Sequence, residues 1–190
     1  MDSSIITIVS GVPRSGTSMM MQILDAGGIE ALTDNIRKAD KDNPKGYYEF
    51  ELVKKTKDDA SWLENAGGMV VKMIYRLIYD LPLDHKYKVV FMRRDLSETL
   101  ASQKKMLTRS GNKGASLTDE QIAKAFEKQL GQFDSWIAGK DCFEMLDVNY
   151  KEMINDPQTH CAKINEFLGG ELDVEKMAAV VDPSLYRNRK

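Results

Sequence analysis

The residues with the most chemistry in so short a span are Gly11-Val12-Pro13-Arg14-Ser15-Gly16-Thr17-Ser18. Two glycines at this spacing frame a loop whose backbone N–H groups, with the N-terminus of a following helix, can surround a phosphate. A loop built for a nucleoside triphosphate carries a lysine at the position of Thr17, to reach the β- and γ-phosphates. An ordinary ATPase or GTPase therefore does not fit. The positive charge has moved to Arg14, whose planar guanidinium can hold an oxyanion through two parallel N–H bonds. The competing reading is a plain strand-to-helix turn with a surface arginine.

A second cluster, Arg93-Arg94-Asp95-Leu96-Ser97-Glu98, follows an apolar run and opens a helical stretch. Asp95 and Glu98 stand at the spacing of an N-cap and its returning acid. Ser102 falls on the same helical face as Asp95, about 10 Å further along the axis, so Arg94 and Ser102 can grip one anion together. Against this, Arg93 and Arg94 could simply pair with local acids on a solvated face. Lys104 and Lys105 read as solvated. Lys72 ends a third apolar run, and the carboxyl end of a strand is where an open α/β sheet places its ligand.

The elements that must hold these groups follow from hydrophobic periodicity. Ile5-Ile6-Thr7-Ile8-Val9, Met69-Val70-Val71-Lys72-Met73-Ile74, Lys88-Val89-Val90-Phe91-Met92 and Cys142-Phe143-Glu144-Met145-Leu146-Asp147-Val148 read as buried strands. Between and after them lie helices. One contains Met19 to Leu24 and ends at Gly27-Gly28, and the longest carries Ile122, Phe126, Leu130, Phe133 and Ile137 behind a Thr118/Gln121 capping box. Another starts at Asp156-Pro157, buries Cys161, Ile164 and Leu168, and stops at Gly169-Gly170. Residues 33 to 60 are rich in charge, hold the turn Asn43-Pro44-Lys45-Gly46, and read as a loop feeding a helix. Strands alternating with helices predict an α/β protein of three layers, a central parallel sheet flanked by helices.

Composition narrows the classes. The 190 residues are 42% hydrophobic and 29% charged with a net charge of −2, which excludes disorder and a generally basic nucleic-acid binder but leaves room for a local basic pocket. One domain over residues 1–190 is expected. No apolar stretch suits a spanning helix, so no membrane insertion and a cytoplasmic location are expected. Cys142 and Cys161 read as core thiols, because nothing in their spacing, or in that of His85 and His160, suggests a metal site or a disulfide framework. Met19-Met20-Met21 reads as core filler.

Gly-Val-Pro-Arg-Ser-Gly-Thr-Ser resembles the 5′-phosphosulfate loop of the sulfotransferases that use 3′-phosphoadenosine 5′-phosphosulfate (PAPS), a P-loop-type fold that includes small bacterial members. The resemblance implies that Arg14 contacts the transferred sulfuryl group, while Ser15, Gly16, Thr17 and Ser18 hold the 5′-phosphate. Arg94 and Ser102, eight positions apart, resemble the family's 3′-phosphate motif, with Leu96 standing where a proline is common. The segment from Val148 to Pro157 and the Phe167-Leu168-Gly169 helix end look like further family signatures, which would put Tyr150 near the adenosine. By its residue type alone, Tyr150 could equally be a core residue with a tethered hydroxyl. Asp182-Pro183-Ser184-Leu185-Tyr186-Arg187 resembles the tail of small bacterial members.

Sulfuryl transfer needs in-line geometry, cations on the leaving phosphate and sulfuryl oxygens, and a base for the acceptor proton. Lys72 resembles the lysine of the family's Lys-Thr-His strand, but Ile74 replaces the histidine that serves as base in the cytosolic small-molecule members. Asn43-Pro44-Lys45-Gly46-Tyr47-Tyr48-Glu49 resembles a segment of bacterial members that points to Glu49 instead. The alternative for Glu49 is an exposed carboxylate paired with Lys45 or Lys54. Catalysis is thus expected from Glu49, Lys72 and Arg14, with no metal, since the cations can neutralise the donor. The polar stretch Thr108 to Ser116 could be a lid over the acceptor or a plain connector. The acceptor, a small molecule or carbohydrate, and the oligomeric state are not fixed by the sequence. The competing functions are a non-catalytic nucleotide-binding module and an atypical P-loop kinase.

Overall fold

A computed structural model of the chain describes residues 2–34, 36, 46–109 and 118–186. Among the described residues, four strands form one parallel sheet: β1 (Ile5–Gly11), β2 (Val70–Lys72), β3 (Lys86–Arg93) and β4 (Phe143–Asn149), in the order β2-β1-β3-β4. The α-helices described beside them are α1 (Thr17–Ala26), α2 (Tyr75–Ile78), α3 (Leu96–Arg109), α4 (Asp119–Ala138), α5 (Tyr150–Asn155), α6 (Pro157–Leu168) and α7 (Val174–Ala179).

The near-continuous apolar runs of the strands are explained by what covers them. Val9, Val70, Val90, Met92 and Val148 join one core with Met20 and Leu24 of α1, Met153 of α5, Cys161 and Ile164 of α6 and Met177 of α7. Ile6, Ile8, Val71, Val89 and Phe91 join a second core with Ile78 of α2 and Phe133 and Ile137 of α4. Residues adjacent in a strand point to opposite faces, so a sheet sandwiched between helices needs apolar residues at both. This is the expected three-layer arrangement. Met20 and Met21 are fully buried, as expected of core filler. Among the described residues, no helix is long and apolar enough to cross a membrane.

Helix ends follow the sequence signals closely. The Thr118 hydroxyl accepts from the Gln121 amide and the Gln121 side chain accepts from the Thr118 amide, a complete capping box for α4. Asp156 caps α6 with Pro157 behind it, and Gly169, at φ 116°, ends that helix. Three expectations need correction. Residues after Tyr47 lead into a short 3₁₀ turn, Glu51–Lys55, and not an α-helix. The strand expected over Met69 to Ile74 is hydrogen-bonded only over Val70–Lys72, because Ile74 already adopts the extended N-cap conformation of α2. Cys142 is half-buried where Cys161 is fully buried.

The order of the strands fixes where a ligand can sit. From β1 the chain crosses to β2 on one side and later to β3 on the other, so the loops after β1 and β3 diverge and leave a crevice at their carboxyl ends. The Gly11 to Ser18 loop and the Arg93-Arg94 pair both emerge there, and Lys72 closes β2 beside them in register with Val9.

Candidate active site

The loop after β1 holds a conformation that only particular residues allow. Gly11 has φ 149°, and a Cβ there would stand 2.5 Å from the Ser15 hydroxyl oxygen and 2.8 Å from the Met92 carbonyl oxygen. Gly16, at φ 107°, is the N-cap of α1, and a Cβ on it would lie 2.5 Å from Cδ2 of Tyr150. Both positions require glycine. Arg14 adopts φ 74° without that excuse, the kind of backbone strain that clusters at functional sites. No side chain caps α1, so the partial positive charge of its N-terminus stays directed at the crevice.

Charged side chains gather in two corners around this loop. In the first, the Nε of Arg14 donates to the Ser102 hydroxyl at 3.2 Å, and Arg94 donates through Nη1 to the Arg14 carbonyl at 3.4 Å. The Arg94 guanidinium lies 4.3 Å from the centre of the Tyr150 ring. In the second corner, the Lys72 ammonium donates to the Tyr47 carbonyl and sits 3.5 Å from the Ser18 hydroxyl, which itself donates to the Tyr47 carbonyl at 3.4 Å. Glu49 completes it, with Oε1 4.0 Å from Lys72 Nζ and side-chain exposures of 25% and 13% for Glu49 and Lys72.

Most of the residues expected to act together are therefore brought together, with informative exceptions. The exposed pairing considered for Glu49 does not occur with Lys54, which bonds Glu51 at 2.6 Å; Lys45 lies outside the described residues. The Ser15 side chain is fully buried and its hydroxyl has no hydrogen-bond partner. Arg14 is directed to Ser102 and so joins the corner of Arg94. Tyr150 is buried in the core, its ring packed against Gly16 and Arg94. Arg93 does pair with acids, Asp134 at 2.6 Å and Asp147 at 2.8 Å, and serves to tie β3 to α4 and β4.

Asp95 caps α3, its carboxylate accepting from the amides of Ser97 at 2.8 Å and Glu98 at 3.1 Å. The Glu98 carboxylate accepts from Arg94 and from the hydroxyl of Tyr186. The four-residue separation of Arg94 and Glu98 signals such a pair on a helix, whereas no sequence pattern connects either to Tyr186. Ile74, where the resemblance places a histidine, is exposed. The lid considered for residues 108–116 falls almost wholly outside the described residues.

These features make a strand-loop-helix unit in a parallel α/β fold, with cations gathered at the carboxyl ends of the strands and a carboxylate beside them. The family model described as "Sulfotransferase domain" matches residues 5–190. The chain belongs to the sulfotransferase family and is a sulfotransferase enzyme. No curated protein sequence matched it.

Similar solved structures agree on the fold. The sulfotransferase domain of the Synechococcus PCC 7002 olefin synthase superposes with a TM-score of 0.62 at 13% identity, covering 98% of this chain and 88% of that one. The sulfotransferase domain of the curacin biosynthetic pathway gives 0.51 at 13% identity, covering 95% and 88%. Retinol dehydratase, in complex with androsterone and the inactive cofactor PAP (3′-phosphoadenosine 5′-phosphate), gives 0.52 at 16% identity, covering 98% of this chain but only 65% of that chain.

Proposed function

We propose that this chain is a single-domain enzyme that transfers the sulfuryl group of PAPS to a hydroxyl or amine of a small-molecule or carbohydrate acceptor. The observation that carries the reading is the pair of corners flanking the loop. One, formed by Arg14, Ser102 and Arg94, suits a second phosphate at a distance from the loop; the other, formed by Lys72, Ser18 and Glu49, suits the reacting end. A similar fold that holds PAP beside a small-molecule ligand supports it. Two free thiols, Cys142 and Cys161, fit a reducing compartment such as the cytoplasm.

The residues present fit the donor. Gly11 and Gly16 let the loop close against Ser15, Met92 and Tyr150, and the uncapped N-terminus of α1 offers donors to an anion. The donor, when bound, supplies a sulfuryl group on a good leaving phosphate, so a new acceptor–sulfur bond forms as the bridging sulfur–oxygen bond breaks.

Each residue then has a task. The backbone of Ser15 and Gly16, with Thr17 and Ser18, holds the 5′-phosphate; Arg94 and Ser102 hold the 3′-phosphate; Tyr150 supports the adenosine side. Lys72 neutralises negative charge on the sulfuryl group and the leaving phosphate, and Arg14, whose Nε rests on Ser102 in the other corner, turns from it to add its charge there, supplying charge that a metal provides in other phosphoryl-type transfers. Glu49 accepts the acceptor's proton, and Lys72 at 4.0 Å holds it at the mouth of the crevice.

Transfer of radiolabelled sulfuryl from PAPS to a panel of phenols, sugars and amines tests this directly. The wild-type protein should label at least one class, and Glu49→Gln should lower the rate by about 10²–10⁴, the range for loss of a general base. PAP affinity should stay within about twofold in that variant, since uniform binding is untouched. Undiminished turnover in Glu49→Gln would remove Glu49 from the role of base. PAP binding with no transfer to any acceptor would make the chain a binding module.

A further inference from the structure

Arg94 is held from several sides. Its Nε donates to Glu98 Oε2 at 3.1 Å, one helical turn on, in a pair whose side chains are only 9% and 7% exposed. The guanidinium stands 4.3 Å from the Tyr150 ring centre and 5.3 Å from that of Tyr186. Nη1 is turned to the carbonyl of Arg14, whose own side chain meets Ser102. Glu98 is fixed in turn by the Tyr186 hydroxyl, which donates to Oε1 at 2.7 Å. That bond also raises the tyrosine's pKa, the hydrogen bond to Glu98 being its first cause.

A buried ion pair contributes little net stability compared with well-packed apolar residues. A carboxylate beside an anion site is also the wrong sign for affinity alone. Both costs are explained if the carboxylate exists to orient the arginine: it takes the Nε edge, and the rest of the fork is left facing the Arg14 and Ser102 corner.

We propose that Glu98 is a positioning residue, fixed by Tyr186, that orients Arg94 and thereby sets the preference for a nucleotide bearing a 3′-phosphate over one without it. The inference rests on the PAPS reading above. Orientation outweighs the lost positive charge, because an arginine free to swing must give up rotamer freedom again on binding.

The test is a titration of each protein with PAP and with adenosine 5′-phosphate, two ligands that differ only in the 3′-phosphate. The quantity of interest is the ratio of their affinities in wild type, Glu98→Ala, Tyr186→Phe, Arg94→Ala and the double variant Glu98→Ala/Arg94→Ala. Wild type should prefer PAP, and Glu98→Ala should cut the ratio about tenfold while adenosine 5′-phosphate binding barely moves, which a general loss of packing would not spare. In the Arg94→Ala background the same change should alter the ratio by less than about twofold. Tyr186→Phe, which deletes one oxygen and keeps the ring, should lower the ratio in the same direction by about threefold, and it carries the test if Glu98→Ala does not fold. A selective wild type with an unchanged or raised ratio in the variants overturns the positioning role and leaves the PAPS reading standing. So does an equal fall without Arg94. A wild type that binds both ligands equally overturns both.

Discussion

Lys72 and Arg14 carry positive charge in one crevice, yet their surroundings predict different consequences of removal. Lys72 is lodged against the Tyr47 carbonyl, Ser18 and Glu49, so its loss touches the proposed reacting end. Lys72→Ala should lower the rate of sulfuryl transfer by about 10²–10³, the range for losing one preorganised donor to a developing charge. Single-turnover rates with labelled donor would read this, and a change confined to KM would assign Lys72 to ground-state binding. Arg14 sits at φ 74°, where glycine is at ease. Arg14→Gly should therefore leave stability within about 1 kcal/mol of wild type, the relief of strain offsetting the lost contact and the added chain entropy. Its PAP affinity should nonetheless fall about tenfold, since a charge-assisted contact is gone. Thermal unfolding and titration on one sample would separate the two.

The cysteines give a further check at this scale. Burial raises the Cys161 thiol to about 11, so at pH 8 it stays protonated and unreactive, the thiolate being the nucleophile. Cys142 is partly exposed. Native protein treated with iodoacetamide at pH 8 should take up label at Cys142 and spare Cys161, with both labelled after unfolding, as peptide mass spectrometry would show. Rapid native labelling of Cys161 would contradict the packing of α6.

At the scale of elements, the strand-loop-helix unit depends on Gly16. A Cβ there meets the Tyr150 ring at 2.5 Å in a left-handed backbone. Gly16→Ala should cost at least about 1–2 kcal/mol from the backbone alone and lower the melting temperature by several degrees. Because Tyr150 lies under Arg94, PAP binding should weaken as well. The elements themselves were legible in the sequence: β1 in Ile5 to Val9, the α4 cap in Thr118 and Gln121, the ends of α6 in Pro157 and Gly169. Those signals are local, fixed by side-chain alternation or by a hydrogen bond across three residues. Glu98 was legible only in part: its spacing from Asp95 fits a capping box and its spacing from Arg94 an ion pair, but the Tyr186 hydroxyl from beyond α7 that also bonds its carboxylate follows from no local spacing. Glu49 likewise found Lys72 through the loop's path across Ser18, with its carbonyl held by Thr33 and Asp34, which no spacing between residues 49 and 72 encodes.

Over the whole molecule, a chain of net charge −2 concentrates Arg14, Lys72 and Arg94 around one crevice at the carboxyl ends of β1, β2 and β3. The order β2-β1-β3-β4 makes this possible, since the crossover leaves the loops after β1 and β3 apart. The family signature in the loop and the Arg94 to Ser102 spacing were readable because each lies within one strand-helix junction. What joins them, the bond from Arg14 to Ser102, spans two junctions and needed the fold. The proposed use of PAPS requires a crevice that takes a nucleotide with phosphates at both the 3′ and 5′ positions and not a triphosphate, whose loop lysine is replaced by Thr17. Calorimetric titration at moderate salt with PAP, beside ATP with magnesium, tests it most directly. PAP should bind at least about 100-fold more tightly than ATP with magnesium, given two charge-assisted corners for one and a missing lysine for the other. Tight binding of ATP with magnesium and weak binding of PAP would contradict it and return the chain to the kinases.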